Sequence, residues 1–150
     1  MPGNQWRVFL DTNVLIVGLA SRTGASAAIL DLGEAEEIRI LISQHVLVEA
    51  DRVFSEKFPH LTKEFRMFIK SLAPLLIDDP KSQAVREAGK VIEIDDASIL
   101  AAVKSEKVDY LVTLNTKHFK TAQVRGYLST PIVTPGEFLT AFRTFWEQAG

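Results

Sequence analysis

Val8-Phe9-Leu10-Asp11-Thr12-Asn13-Val14-Leu15-Ile16 is an apolar run that stops at an acid, turns through two polar residues and resumes as a second apolar run. Trp6 to Leu10 reads as a buried strand, and Val14, Leu15, Gly18 and Leu19 recur at helical spacing. Strand, acidic turn, helix is therefore the expected opening. The same alternation continues outward from it. Beyond the polar link Ser21 to Ser26, Ala27 to Glu37 reads as a helix and Arg39 to Ile42 as a strand. Ser43 is placed to cap a helix reaching about Phe54, whose stripe is Val46, Leu47, Ala50, Val53 and Phe54.

A fourth helix is expected from Thr62 to Ala73, closed by Pro74, followed by a strand Leu75-Leu76-Ile77 and a turn Asp78-Asp79-Pro80. Val85 to Ile94 fits either helix or extended chain. A helix starting around Asp96 and ending near Glu106, strands at Tyr110 to Leu114 and Pro131 to Thr134, and a helix Glu137 to Trp146 complete the pattern. Strands separated by helices imply an α/β fold, a parallel sheet covered on both faces.

The bulk properties bound what this fold can do. A chain of 150 residues, 47% hydrophobic, fits one domain with a full core. No apolar run approaches the roughly 20 residues that span a bilayer, the first residues do not read as an export signal, and cysteine is absent. The expectation is a soluble protein, in the cytoplasm by default, without a membrane partner. With 17 Lys plus Arg against 19 Asp plus Glu, the net charge of −2 offers a polyanion no global attraction. Nucleic acid would have to be held by a local basic patch or through metal ions.

Three acids stand out because each lies where an element begins, ends or turns inward. Asp11 ends the first strand, and Asn115 follows the strand Tyr110 to Leu114, so both reach the sheet edge where open α/β sheets gather their sites. At about 100° per residue, Asp96 falls inside the arc of Ile99, Leu100 and Val103, an acid on a core-facing surface. Glu49 lies at the flank of its helix's apolar stripe by the same arithmetic. Each also has a structural explanation. Asp11 and Asp96 suit helix caps, worth about 1 kcal/mol; Glu49 suits pairing with Arg52 or His45; Asn115 suits a turn.

If the four converge, the crowded carboxylates need a proton or a cation, and oxygen ligands select Mg²⁺ or Mn²⁺. Histidine occurs only at 45, 60 and 118, with no HExxH; there is no GxSxG, GxxxxGK[ST] or GxGxxG. Metal-assisted hydrolysis is the chemistry left.

Val8 to Ile16, Val46-Leu47-Val48-Glu49-Ala50, Asp95-Asp96-Ala97-Ser98-Ile99-Leu100-Ala101-Ala102 and Tyr110 to Asn115 together resemble a PIN domain over nearly the whole chain, with DTNVLI as the most specific tag. The resemblance implies a three-layer α/β/α sandwich spanning residues 1–150, an Mg²⁺- or Mn²⁺-dependent nuclease site and commonly a single-stranded RNA substrate. Many small members, VapC-like, are toxins neutralised by an antitoxin protein and form homodimers. The family's three acids fall on Asp11, Glu49 and Asp96, with Asp95 adjacent to the third. Its fourth position is usually an Asp in a Thr-Gly-Asp turn; here it is Thr113-Leu114-Asn115, which removes one negative charge but keeps a group able to accept from a metal-bound water. Thr12, Asn13, Asp95 and Thr113 are expected to orient acids or waters.

Lys117, His118 and Lys120 follow Asn115 and are placed to meet phosphates, with Arg22, Arg52 and Lys57 as possible additions; a solvated loop explains them equally. Phe65, Met67, Phe68 and Ile69 fit a dimer or antitoxin surface, or ordinary packing. Two rival functions stand beside the nuclease. One is a non-catalytic PIN-fold module with a degraded metal site that binds RNA or protein; the other is an aspartyl phosphotransfer enzyme, for which the usual DxD is missing at Asn13.

Overall fold

The computed structural model describes residues 5–149; residues 1–4 and 150 of the expected 1–150 domain lie outside the described residues. Five strands form one all-parallel sheet: β1 (Arg7–Leu10), β2 (Arg39–Ser43), β3 (Leu75–Ile77), β4 (Tyr110–Val112) and β5 (Ile132–Val133). Their spatial order is β3-β2-β1-β4-β5. Val8 pairs with Ile40 on one side and Tyr110 on the other, so β1 is central, and Val8, Phe9 and Leu10 are all fully buried. A strand covered on both faces has no polar face to show, which is why these residues read as a continuous run.

The helices are α1 (Thr12–Ala20), α2 (Ala25–Glu34), α3 (Gln44–Lys57), α4 (Thr62–Leu72), α5 (Ser82–Ala88), α6 (Ile94–Ser105), α7 (Thr116–Phe119), α8 (Ala122–Tyr127) and α9 (Pro135–Ala149). From β1 the chain steps through β2 to β3 in one direction, then returns past β1 to β4 and β5 in the other. Right-handed crossovers put the connecting helices of the two excursions on opposite faces, giving the three-layer α/β/α sandwich. One contiguous apolar cluster, including Phe9, Leu41, Phe54, Leu100 and Phe138, joins the layers. Among the described residues no single helix is long and apolar enough to cross a membrane.

Local chemistry sets the element ends. Ser43 caps α3 as its sequence suggests, its hydroxyl accepting from Val46 N–H at 3.2 Å. Ala73 takes a left-handed φ of 47° and stops α4 directly before Pro74. Gly18 lets α2 come close to α1, since a Cβ there would lie 2.6 Å from Leu30 Cδ1.

Some boundaries differ from the sequence reading. Helix α2 runs over 25–34 rather than 27–37, because Gly24 starts it and Glu36, at φ 61°, has left helical geometry. The open stretch 85–94 divides into the end of α5, a turn, and the start of α6, so Asp96 sits in the first turn of α6 rather than capping it; Glu93 holds the cap position. Strand β4 ends at Val112, not Leu114, and the short helices α7 and α8 were not expected. Thr121 caps α8 through Val124 N–H, a local signal that was available at sequence level.

Candidate active site

The reversal of strand order falls at β1 and β4, and their carboxyl ends are joined by the Asp11 N–H, which donates to Val112 O at 3.0 Å. Asp11 has extended backbone (φ −65°, ψ 154°) and caps α1. Its two carboxylate oxygens have separate partners: Oδ1 accepts from Thr12 N–H at 2.8 Å and Oδ2 from the Thr113 hydroxyl at 2.7 Å. Thr113 is fully buried, and its Oγ1 accepts from Asn115 N–H at 2.9 Å, so the single hydroxyl proton is directed to Asp11. Capping is therefore one of Asp11's roles. It does not account for the second oxygen.

At 6% exposure Asp11 is the one buried ionisable side chain among the described residues. Burial pushes its carboxyl above the ordinary aspartate value of 3.8. The bonds from Thr113 and Thr12 pull in the opposite direction, while the negative charges of Asp96 and Glu49 push it further up. Those two charges act on Asp11 because α3 and α6 bring both acids to the same end of the sheet.

Asp96 is half-buried, its side chain 16% exposed, and its Oδ2 lies 2.8 Å from His118 Nδ1 on α7. The Asn115 amide nitrogen lies 3.5 Å from the same oxygen and 2.9 Å from His118 Nδ1. Hydrogen bonding to Asp96, helped by the nearby Glu93 and Asp96 charges, lifts His118 above the ordinary imidazole value. Position 115 thus touches Asp96 through an uncharged amide where a carboxylate would repel it.

Glu49 is half-buried and has no hydrogen-bond or ion-pair partner among the described residues. Of the two neighbours expected to neutralise it, Arg52 pairs with Glu56 instead, and the His45 imidazole forms no ion pair with it among the described residues. Asp95 and Asn13 are exposed, and Lys120 is paired with Glu137. His118 is held by Asp96 through Nδ1. Its spacing from Asp96 in the chain gave no hint of that pairing.

Among the described residues, no group of three or more Asp, Glu or His side chains stands close enough to hold a metal ion as placed. The donor chemistry nevertheless fits a hard divalent cation. A carboxylate offers about four acceptor positions, and Asp11 uses two. Among the described residues two buried hydroxyls, Thr12 Oγ1 on the residue after Asp11 and Ser98 Oγ two residues past Asp96 in α6, have no hydrogen-bond partner. A cation with its waters would lower the cost of ionising Asp11 and take up its remaining acceptor positions.

A family model described as the PIN domain matches residues 7–117. The chain belongs to the PIN domain family. Its fold is shared with solved structures at low identity. VapBC2 from Rickettsia felis, bound to a DNA fragment from their promoter, superposes with TM-score 0.61 at 21% identity, covering 85% of this chain and 96% of that one. PAE2754 from Pyrobaculum aerophilum gives 0.63 at 14%, covering 93% and 96%. VapC20 from Mycobacterium tuberculosis, a sarcin-ricin loop cleaving toxin, gives 0.50 at 15%, covering 69% and 86%. No curated protein sequence matches the chain.

Proposed function

We propose that this PIN domain is an Mg²⁺- or Mn²⁺-dependent endoribonuclease of VapC type that hydrolyses phosphodiester bonds in single-stranded RNA. The observation that carries the reading is Asp11: a buried carboxylate at the switch point, fixed by two donors and loaded with the charges of two further acids. A fold needs no such arrangement for stability, since unpaired buried charge is costly.

Asp11 and Asp96 would hold the ion, and Asn115 would orient one of its waters. When bound, the ion supplies a water of lowered pKa and offsets charge on the phosphate. Glu49, lacking a partner, accepts the proton as the water oxygen attacks phosphorus. The bond from phosphorus to the leaving ribose oxygen then breaks, and that oxygen takes a proton from solvent. Thr113 is a positioning residue: its hydroxyl keeps Asp11 Oδ2 in place and leaves the remaining acceptor positions free. This chemistry uses no 2′-hydroxyl as nucleophile, so preference for RNA has to come from binding.

A toxin role with an antitoxin partner, and a homodimer, are extensions of the same reading. Support comes from structural neighbours that are VapBC assemblies or a VapC toxin. The test is cleavage of single-stranded RNA by the purified protein with Mg²⁺ or Mn²⁺. Activity that disappears with chelation and in a folded Asp11→Asn variant is expected; equal cutting by that variant would refute the ligand role.

Two observations favour a second reading, a non-catalytic PIN-fold module. The acids as placed do not form a closed ligand sphere, and Asn115 removes a charge. Calorimetry decides between them: absence of Mn²⁺ binding at millimolar concentration would select the module.

A further inference from the structure

The amino end of the sheet, opposite Asp11, carries an aromatic cleft that the proposed nuclease chemistry does not use. Trp6 precedes β1, and helix α9 runs back to meet it. Trp6, Phe142, Phe145 and Trp146 line a cavity of about 220 Å³ together with Glu36 and Glu37. The rings are locked against one another: Trp6 lies 5.1 Å from Phe145 and 5.7 Å from Phe142, and Trp146 packs edge-on against Phe142 at 6.2 Å. Trp6 is anchored below by Tyr110 at 5.1 Å and Phe138 at 5.9 Å. Phe138, one to two turns earlier in α9, is fully buried, whereas Phe145 is 43% and Trp146 52% exposed. Contiguous exposed aromatics held rigid in this way are characteristic of a contact surface.

The charge beside the rings selects the occupant. A second cavity, about 440 Å³, adjoins the first through Glu36 and Glu37 and adds Glu34. None of these three glutamates forms an ion pair among the described residues; Glu34 only accepts from the Ser71 hydroxyl at 3.1 Å. Arg39, the cation lining that second cavity, directs its guanidinium to Ala73 O instead. Three glutamates against Arg39, whose hydrogen bond to a carbonyl leaves its charge in place, give the rim a net negative charge among the described residues, next to tryptophan and phenylalanine rings. Such a surface repels a nucleic acid and attracts cations twice over, by Coulomb attraction and through the ring faces. Arginine satisfies both, since its planar guanidinium stacks on rings and forks onto carboxylates.

We propose that this cleft docks a basic segment of a partner protein, with arginines on Glu34, Glu36 and Glu37 and apolar side chains against Trp6, Phe145 and Trp146. The proposal is independent of the nuclease reading, because the cleft lies at the other end of β1, about 13 Å away for a four-residue strand.

Trp6 and Trp146 are the only two tryptophans in the chain, so intrinsic emission reports on this cleft alone. The probe is a synthetic peptide alternating Arg and Leu, with its Glu–Leu counterpart as control. Titration of the full chain is expected to give a saturable emission change with the Arg–Leu peptide that weakens as salt is raised. Binding should fall about tenfold or more in the Glu36→Gln/Glu37→Gln variant and in Trp146→Ala, where Trp6 remains as reporter. Circular dichroism checks that both variants are folded. No saturable change, equal binding of the Glu–Leu peptide, or undiminished affinity in the folded glutamine variant overturns the proposal. So does sedimentation showing that a second copy of the chain already covers the cleft and that Trp146→Ala releases it.

Discussion

On the strand side of the acidic cleft, Asp11 has one oxygen on a backbone N–H and the other on a buried hydroxyl, both within 2.8 Å. The helical side is looser. Asp96 is bound to a partly exposed imidazole on a four-residue helix, and Glu49 to nothing among the described residues. The contrast follows from what each backbone can offer. A strand end at a switch point is surrounded by main-chain donors and by the neighbouring strand, whereas an acid on a helix can be held only by side chains from elsewhere. In the proposed nuclease, Asp11 is thus preset for an ion, while Asp96 and Glu49 adjust to it. That division also explains why the acids share an electrostatic field without forming a closed ligand group.

The strongest way to break this comparison is Asp11→Asn. If Asp11 is the preset ligand, RNA cleavage falls by more than the roughly 10–100-fold typical of altered supporting contacts. The same variant is expected to melt higher than wild type in metal-free solution at neutral pH. Asp11's folded pKa is raised, so its contribution to stability is full at low pH and is lost as pH rises past 3.8 and through the elevated value. The melting advantage of Asp11→Asn should therefore grow over that interval. A pH-independent difference would show that Asp11's ionisation carries no cost.

Thr113→Val comes next. It removes the donor to Oδ2 without changing shape much, and should cost about 1.5–3 kcal/mol in urea unfolding for a hydrogen bond to a charged group. Cleavage should drop about 10–100-fold, with substrate KM little changed. A loss of stability with full activity would reduce Thr113 to a fold residue.

Asn115→Asp sharpens the helical side. It places a second carboxylate beside Asp96, so metal-free protein should be less stable, and Mn²⁺ should bind more tightly by calorimetry, since added ligand charge raises affinity. Unchanged binding would separate position 115 from the ion.

The smallest effect is expected from His118→Ala. His118 has a raised pKa, so its pairing with Asp96 stabilises below about 6.5 and fades as pH rises through the elevated folded value. Melting curves of wild type and variant should differ at low pH and converge at high pH. A constant gap would point to lost packing instead.

Much of the fold was legible because buried parallel strands and capped helices leave strong local marks. Val8 to Leu10, Ser43 before Val46, and Ala73-Pro74 each encode a boundary by their own chemistry. Asp11 was legible as the residue that follows β1, whereas Asn115, expected at a strand end, lies three residues beyond β4 at the start of α7. The short helices α7 and α8 were not legible, since four to six residues carry too little periodicity to register. Nor was the Asp96–His118 pairing, made by residues 22 apart in sequence. The aromatic cleft was invisible for a similar reason: Trp6 and Phe145 belong to opposite ends of the chain.

By itself the sequence determined the order of the strands and of the longer helices, and the acids that end or flank them, because caps, apolar runs and breakers act over a few residues. Only the tertiary structure decided which oxygen of Asp11 meets Thr113, which imidazole holds Asp96, and that Glu49 finds no partner among the described residues. Those outcomes depend on strand order and helix packing, which set distances between segments up to a hundred residues apart, and no local pattern encodes such distances.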